Sequence, residues 1–223
     1  MLNERGDTMA KKGISVGILG ILLLTMGTQV ALGANNALME KTGTIFHEYS
    51  KSEKKDSEIF ACGKNGAIVR VSDIKQGIEF YMASGISETE AKEKSVNFYL
   101  KREAMYQKAI QEGYDVTEQE ISDYLEYLKE FLNSAENQED FQEVMSQFDS
   151  EEEYWQYEFE VYKKDLPIIN YTEALQKEFI TNYNNTYSNS SVGNVMDEWN
   201  NYLEEFKSNL VAEENFEILQ EIE

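Results

Sequence analysis

The amino-acid sequence predicts a mostly α-helical domain that begins with a small β-hairpin and is closed by a long C-terminal helix. Three capping boxes precede three apolar stripes with helical spacing, which is typical of amphipathic helices with defined start points. The capping pairs are Ser87 with Glu90, Thr117 with Glu120, and Ser150 with Glu153. In addition, Asn65-Gly66 lies between two short apolar runs, which is a hairpin signal.

The composition indicates a folded, strongly acidic protein. Among its 223 residues, 42 Asp and Glu outnumber 20 Lys and Arg, the formal charge is −22, and 41% of residues are hydrophobic. This apolar content is too high for a disordered acidic tail. The acid excess argues against nucleic-acid binding, because phosphates require a basic face. The single Cys and single His exclude a disulfide framework and a Cys/His zinc site.

The N-terminal segment has the order of a secretory signal. Lys11 and Lys12 precede an apolar run at residues 14–26, and small residues follow up to residue 34. We expect residues 1–34 to be a signal peptide cleaved near Gly33-Ala34, or else a retained N-terminal anchor. In both cases the protein is expected outside the cytoplasmic membrane, either secreted or associated with the cell envelope. Residues 35–58 are polar, and we interpret them as a spacer.

The elements of the domain follow from residue 59 onward. Apolar runs at residues 59–62 and 67–69 predict the hairpin strands. A stripe at positions 74, 78, 81 and 82 predicts a first helix that Gly85 ends. The first two capped helices come next, and Gly113 lies between them. A shorter stripe over residues 141–148 precedes the third capped helix.

The last part of the chain contains a break and a closing element. Pro167 lies in the third capped helix, which should kink or restart there. Residues 184–193 are rich in Asn and Ser and are interpreted as a linker. In residues 194–223 an apolar stripe over positions 195–210 predicts the long C-terminal helix, and the weak alternation at 215–219 predicts a closing strand.

Several of these segments are similar to motifs of the SurA N-terminal domain family. The matching segments are GKNGAIVRVSD at residues 63–73, REAMYQKAIQEGYDVTEQEI at 102–121 and SEEEYW at 150–155. The resemblance covers residues 59–183, with a looser match in the C-terminal helix. It implies an exported bacterial chaperone of the SurA and PrsA type, related to the client-binding part of trigger factor. Members carry a parvulin prolyl-isomerase domain before the last helix, and residues 184–193 are too short to contain one.

The sequence contains no convincing catalytic, cofactor or metal set. His47 falls in the predicted spacer and is expected to be solvated, so a His-centred triad is not predicted. Cys62 is interpreted as a small apolar strand residue. Asp149, Glu151 and Glu153 alternate as calcium ligands do, but the glycine and terminal Glu of an EF-hand are missing. We interpret these carboxylates as helix N-terminus residues favoured by the helix dipole.

We therefore expect a non-enzymatic chaperone-like module that binds unfolded or extended segments of exported polypeptides. Residues 113–160 contain sixteen acidic residues and one basic residue, which indicates either a solubilising surface or one that attracts basic client segments. The candidate client-binding residues are Met82, Met105, Tyr154, Trp155 and Tyr157. The alternative is an envelope scaffold subunit that binds one folded partner. A hydrolase using paired carboxylates is a third, more distant possibility.

Overall fold

The fold is mostly α-helical with one small antiparallel sheet, which confirms the predicted class. The computed structural model describes residues 36–51, 58–132, 138–186 and 192–222, so the signal or anchor segment lies outside the described residues. The elements are α1 (Asn36–Ser50), β1 (Ile59–Cys62), β2 (Ile68–Arg70), α2 (Val71–Ala83), α3 (Glu88–Gln111), α4 (Glu118–Leu132), α5 (Gln138–Met145), α6 (Glu151–Thr186), α7 (Val192–Glu214) and β3 (Glu217–Ile218). In the described part of the chain, no helix is long and apolar enough to span a membrane.

The sheet joins the two ends of the domain. Strand β1 lies in the centre, paired antiparallel with β2 on one side and with β3 on the other. The predicted hairpin and closing strand are both confirmed, and Gly66 adopts the positive φ of +90° that its turn position requires.

Glu214, the last residue of α7, attaches the C-terminal helix to the hairpin turn. Its side chain is 4% exposed and accepts hydrogen bonds from the side-chain amide of Asn65 at 2.7 Å and from the backbone N–H of Asn65 at 3.1 Å. Its carbonyl accepts from the N–H of Lys64 at 2.9 Å. The closing helix is therefore anchored at the turn that the sequence analysis identified as the start of the domain.

Of the three predicted capping boxes, only that of Thr117 with Glu120 forms in both directions, whereas at Ser87 and Ser150 only the hydroxyl of the cap forms its hydrogen bond. The backbone N–H of Glu90 donates to Ser87 Oγ at 3.4 Å, and Thr117 and Glu120 exchange hydrogen bonds in both directions. At the start of α6, the N–H of Glu153 donates to Ser150 Oγ at 3.1 Å. The Glu153 carboxylate accepts from the N–H of Asp149, at 2.9 Å, one residue before the cap.

The prediction of a polar spacer at residues 35–58 is wrong for most of its length. Helix α1 occupies residues 36–50 and contributes four buried apolar side chains to the main core: Met39, Ile45, Phe46 and Tyr49. It packs against α2 and α5. A side chain at Gly43 would place its Cβ only 2.4 Å from the carbonyl oxygen of Val144 in α5, so the close approach of these helices requires glycine. Residues 52–57 lie outside the described part.

The prediction of a restart at Pro167 is also wrong, because α6 runs without interruption from Glu151 to Thr186. The proline ring is almost completely buried. Proline in a helix removes one backbone hydrogen bond, and we attribute its tolerance here to the apolar packing that the ring gains. Helix α6 also extends into the predicted linker, of which residues 187–191 lie outside the described part.

Two apolar clusters fill the domain. The main one joins side chains from β1 and β2 and from helices α1 to α6. The smaller one lies between α3, α6 and α7 and consists of Ala104, Met105, Ala109, Tyr171 and Leu210. Helices α2 and α3 approach closely at Gly77, where an added Cβ would lie 2.3 Å from Ser95 Oγ.

Replacing Phe46 with Ala tests whether α1 is an integral part of the core. Phe46 is 4% exposed and stacks on Phe80 and Tyr157. We expect Phe46→Ala to lower the free energy of unfolding by about 3–5 kcal/mol, whereas Lys41→Ala on the exposed side of α1 should change it by less than about 0.5 kcal/mol. Urea unfolding followed by circular dichroism measures both values. Equal effects of the two substitutions would show that α1 is not packed as described.

Candidate functional site

A cleft lies between α1, α2, α3 and α6 in the described part of the chain. Its volume is about 770 Å³, within the range of ligand-binding clefts. Six aromatic side chains line it: Phe46, Tyr49, Phe98, Tyr99, Tyr106 and Tyr157. Helix α3 contributes three of these, α1 contributes two and α6 contributes one, so the cleft exists only when α1 is packed in place.

Tyr157 forms part of the cleft wall and contacts three other side chains. Its ring lies 5.7 Å from that of Phe46 and 5.6 Å from that of Phe148. Its hydroxyl accepts a hydrogen bond from the side-chain amide of Gln76 at 3.0 Å. Burial raises the pKa of both Tyr157 and Tyr99 well above the usual value. Both phenols are therefore protonated at neutral pH and present neutral hydroxyl groups.

Two neighbouring ion pairs join α3 to α6 at the cleft. Arg102 Nε donates to Asp165 Oδ1 at 2.7 Å, and the Asp165 side chain is only 6% exposed. The next residue of α3, Glu103, pairs with Lys164, which precedes Asp165 in α6. Removing one partner of such a buried pair leaves an uncompensated charge. The two pairs therefore define the register between the two helices.

The cleft carries balanced charges in a strongly acidic chain. Its lining includes four basic and four acidic side chains, whereas the whole protein has a formal charge of −22. The basic residues are Arg70, Arg102, Lys163 and Lys164, and the acidic ones are Asp73, Glu153, Glu160 and Asp165. The negative charge is thus carried by the outer surface, and the cleft is nearly neutral because Arg102, Lys163 and Lys164 are each paired with a carboxylate.

Glu158 is a buried carboxyl group on α6. It is 4% exposed. Burial raises its pKa to about 7, an increase that the hydrogen bond from the Tyr154 hydroxyl opposes and the charge of Asp165 assists. No basic side chain contributes to this shift. Glu158 is therefore partly protonated near neutral pH, and it makes the protein sensitive to pH in this range.

A second, shallower groove of about 640 Å³ lies between α4 and α6 around Trp155. Lys129 Nζ lies 4.7 Å from the centre of the Trp155 ring, and the indole N–H donates to Glu151 at 3.2 Å. The groove is bordered mostly by acidic and polar side chains from the two helices. It offers a small apolar floor with a negative rim.

The five predicted client-binding residues are separated in the structure. Tyr157 lines the cleft, Trp155 lines the shallow groove although it is 8% exposed, and Met82 is 46% exposed near the end of α2 without lining either. Met105 and Tyr154 are 1% and 6% exposed, respectively. The prediction that these two residues contact clients is therefore wrong, because both side chains lie in the core. Their helical spacing relative to apolar neighbours is also typical of core residues.

Sequence reasoning missed the part of the cleft that α1 forms. Phe46 and Tyr49 lie in the segment interpreted as a spacer, together with Met39 and Thr42. The spacing of positions 39, 42, 46 and 49 follows one face of a helix. This signal was present, but the surrounding polar residues and the missing capping box obscured it.

His47 is not the solvated residue that the spacer interpretation predicts. Its side chain is 17% exposed, and its ring lies 5.1 Å from that of Phe148. Nε2 faces two carboxylates at the start of α6, at 3.7 Å from Asp149 Oδ2 and 3.5 Å from Glu153 Oε1. The only histidine of the chain thus lies where α1 meets the N-terminus of α6.

Comparison of the chain with protein families, with curated proteins and with solved structures found no match.

Replacing Glu158 with Gln tests whether burial raises the pKa of this carboxyl group. Because its pKa is raised to about 7 from the ordinary 4.5, the folded state keeps the proton longer than the unfolded state, and the wild type loses stability as the pH rises between these values. We expect Glu158→Gln to match the wild type at pH 4 and to exceed it by about 3 kcal/mol at pH 8. Urea unfolding across this range measures the difference.

Exposed Glu152, on the same helix, provides the control. Its side chain faces solvent, so Glu152→Gln should change the free energy of unfolding by less than about 0.5 kcal/mol. A Glu158→Gln difference that does not grow with pH would contradict the assignment of a raised pKa.

Proposed function

We propose that this protein is a non-enzymatic, chaperone-like module that binds unfolded or extended polypeptide segments outside the cytoplasmic membrane. The observation that supports this most directly is the aromatic, charge-balanced cleft in an otherwise strongly acidic protein. We propose no prolyl-isomerase activity, no cofactor requirement for client binding, no nucleic-acid partner and no membrane contact except through residues 1–34.

The dimensions of the cleft suit a short extended segment. From Phe98 to Tyr106 the α3 wall extends about 12 Å, and from Glu153 to Lys164 the α6 wall extends about 16 Å, at the helical rise of about 1.5 Å per residue. An extended chain advances about 3.3 Å per residue. The cleft therefore accommodates about four or five residues of an extended client, which favours many weak contacts over one deep pocket.

The cleft chemistry suits clients of varied sequence. Tyrosine rings offer large, rigid apolar surfaces together with a hydroxyl that forms hydrogen bonds, so they contact many side chains at low entropic cost. The charged groups of the lining largely neutralise one another, so the cleft does not repel client segments of either sign. Such a site binds weakly and adaptably, as promiscuous binding surfaces do.

The outer acidic surface supports the same function. Glu118, Asp123, Glu126, Glu151 and Glu152 are all exposed on α4 and α6. A high net charge of one sign keeps a protein and its complexes soluble. We propose that this surface prevents association of client-loaded molecules and attracts basic client segments.

We include the resemblance to the SurA N-terminal domain family in the proposal. It rests on the order and spacing of the sequence motifs at residues 63–73, 102–121 and 150–155. Where the SurA and PrsA type carries its parvulin domain, this chain has only residues 187–191 between the end of α6 and the start of α7. The proposed activity is therefore holding of clients without isomerisation.

One observation favours the alternative of a scaffold subunit with one folded partner. Apolar side chains at the C-terminal end are unusually exposed: Met196 and Tyr202 on α7 at 39% each, and Ile218 and Leu219 at β3 at 50% each. These residues do not line the cleft. A scaffold function would use this end of the molecule, so the two proposals predict different binding surfaces.

Substitution of Tyr106 tests the cleft as the client site. We expect Tyr106→Ala to weaken binding of a reduced and alkylated, permanently unfolded polypeptide by roughly 5- to 30-fold, equivalent to the loss of about 1–2 kcal/mol at one aromatic contact. Tyr127→Ala is the matched control, because Tyr127 is 47% exposed on α4 outside the cleft. Fluorescence anisotropy with the labelled polypeptide measures both affinities, and light scattering follows suppression of client aggregation.

Unchanged affinity in Tyr106→Ala, or failure of the wild type to bind the unfolded polypeptide at all, would contradict the chaperone proposal. Recovery of one stoichiometric folded partner whose binding is lost in Tyr202→Ala and kept in Tyr106→Ala would instead support the scaffold function.

A further inference from the structure

We propose that His47, Asp149 and Glu153 form a binding site for a divalent cation, best suited to Zn²⁺, between α1 and the N-terminus of α6. The three side chains each offer one ligand atom, and these atoms all lie within 4.8 Å of one another. The inference goes beyond client binding and does not depend on it.

The distances fit tetrahedral coordination. Nε2 of His47 lies 3.7 Å from Asp149 Oδ2 and 3.5 Å from Glu153 Oε1. Zinc bonds of about 2.0–2.2 Å at tetrahedral angles separate two ligand atoms by about 3.4 Å. These two separations match that value, and the two carboxylate oxygens lie within 4.8 Å of each other, so the carboxylates would close around a zinc ion bound beside the imidazole.

The Nε2 atom of His47 is buried without a hydrogen bond to the described residues. The atom is shielded from solvent and has no hydrogen-bond partner among the described residues. Its distances to the two carboxylate oxygens, 3.7 and 3.5 Å, are too long for a strong hydrogen bond. A buried nitrogen directed at two carboxylates is the arrangement that a cation between them would satisfy.

The surroundings hold the three ligands in place. Glu153 Oε2 accepts from the N–H of Asp149 at 2.9 Å, which leaves Oε1 directed at His47. The imidazole packs on buried Phe148. Ligands oriented by such outer contacts bind metals more tightly than free side chains do.

The types of ligand atom at the site indicate which cations it would bind. Imidazole is a ligand of zinc and similar transition metals, and carboxylates also bind zinc, whereas Ca²⁺ and Mg²⁺ prefer sites built from oxygen alone. Three protein ligands leave a fourth position for water. Lys51 Nζ lies 2.9 Å from Asp149 Oδ2, so its ammonium group competes with the metal for this oxygen.

Titration of the full chain with ZnCl₂ by isothermal calorimetry tests the site. We expect one equivalent to bind and to raise the melting temperature. His47→Gln and Glu153→Gln should each weaken binding by more than about 100-fold, since loss of an outer-shell contact alone costs 10–100-fold. Asp149→Asn should also weaken it, and this residue is exposed, so the fold should tolerate its replacement. Lys51→Met should strengthen binding several-fold, because a competing positive charge is removed.

Exposed Glu152 again provides the control, and Glu152→Gln should bind zinc as the wild type does. Co²⁺ should give the strong visible absorption of a tetrahedral complex in the wild type and lose it in His47→Gln. Absence of stoichiometric binding, or equal affinities in Asp149→Asn, Glu152→Gln and the wild type, would overturn the proposal. In that case His47 only packs beside the two carboxylates, and the client-binding assays are unaffected.

Discussion

The packing of α1 into the main core is the contact on which the rest of the structure depends. Phe46 stacks on Phe80 of α2 and on Tyr157 of α6, so one buried ring connects three helices. The absence of a side chain at Gly43 lets α1 approach α5 closely. Without this helix, the main core loses four apolar side chains, the cleft loses one wall and the Asp149–Glu153 pair loses its histidine.

The second constraint is the register between α3 and α6. Arg102 and Glu103 are neighbours in α3, and their partners Asp165 and Lys164 are neighbours in α6 in the reverse order. A shift of either helix by one residue would bring like charges together. Buried ion pairs add little net stability compared with apolar packing, so we attribute to these pairs the selection of one alignment. That alignment also places Tyr99, Tyr106 and Tyr157 around the same cleft.

Local signals in the sequence predicted local structure well. The caps at Ser87, Thr117 and Ser150 depend only on contacts three residues apart, and in all three the cap hydroxyl accepts the predicted hydrogen bond, although only Thr117 completes the full capping box. The hairpin turn at Asn65-Gly66 is likewise local. The closing strand was predicted from weak alternation, but its partner strand, β1, is about 155 residues away in sequence, and pairing over such a distance is a tertiary property that periodicity alone does not reveal.

The wrong predictions concern features that depend on tertiary packing and not on local sequence. Helix α1 has no capping box and a largely polar sequence, and burial against α2 and α5 decides its conformation, as is usual for helices in proteins. Pro167 disfavours helix locally, but it is buried within a 36-residue helix held by packing on both sides. The cleft and the His47 cluster combine residues from distant parts of the chain, so neither has a local signature.

The two proposed sites meet at Glu153. This residue lines the cleft and also faces His47. At this end of the cleft the α1 and α6 walls are joined by the Phe46–Tyr157 stack and by the carboxylates around His47. Toward Tyr106 and Lys164, the α6 wall faces α3 instead of α1. A cation at His47 would therefore restrain the width of one end of the cleft and leave the contacts at the other end unchanged. The carboxylate shared at Glu153 thus gives a direct physical route by which metal binding would alter the fit of an extended segment.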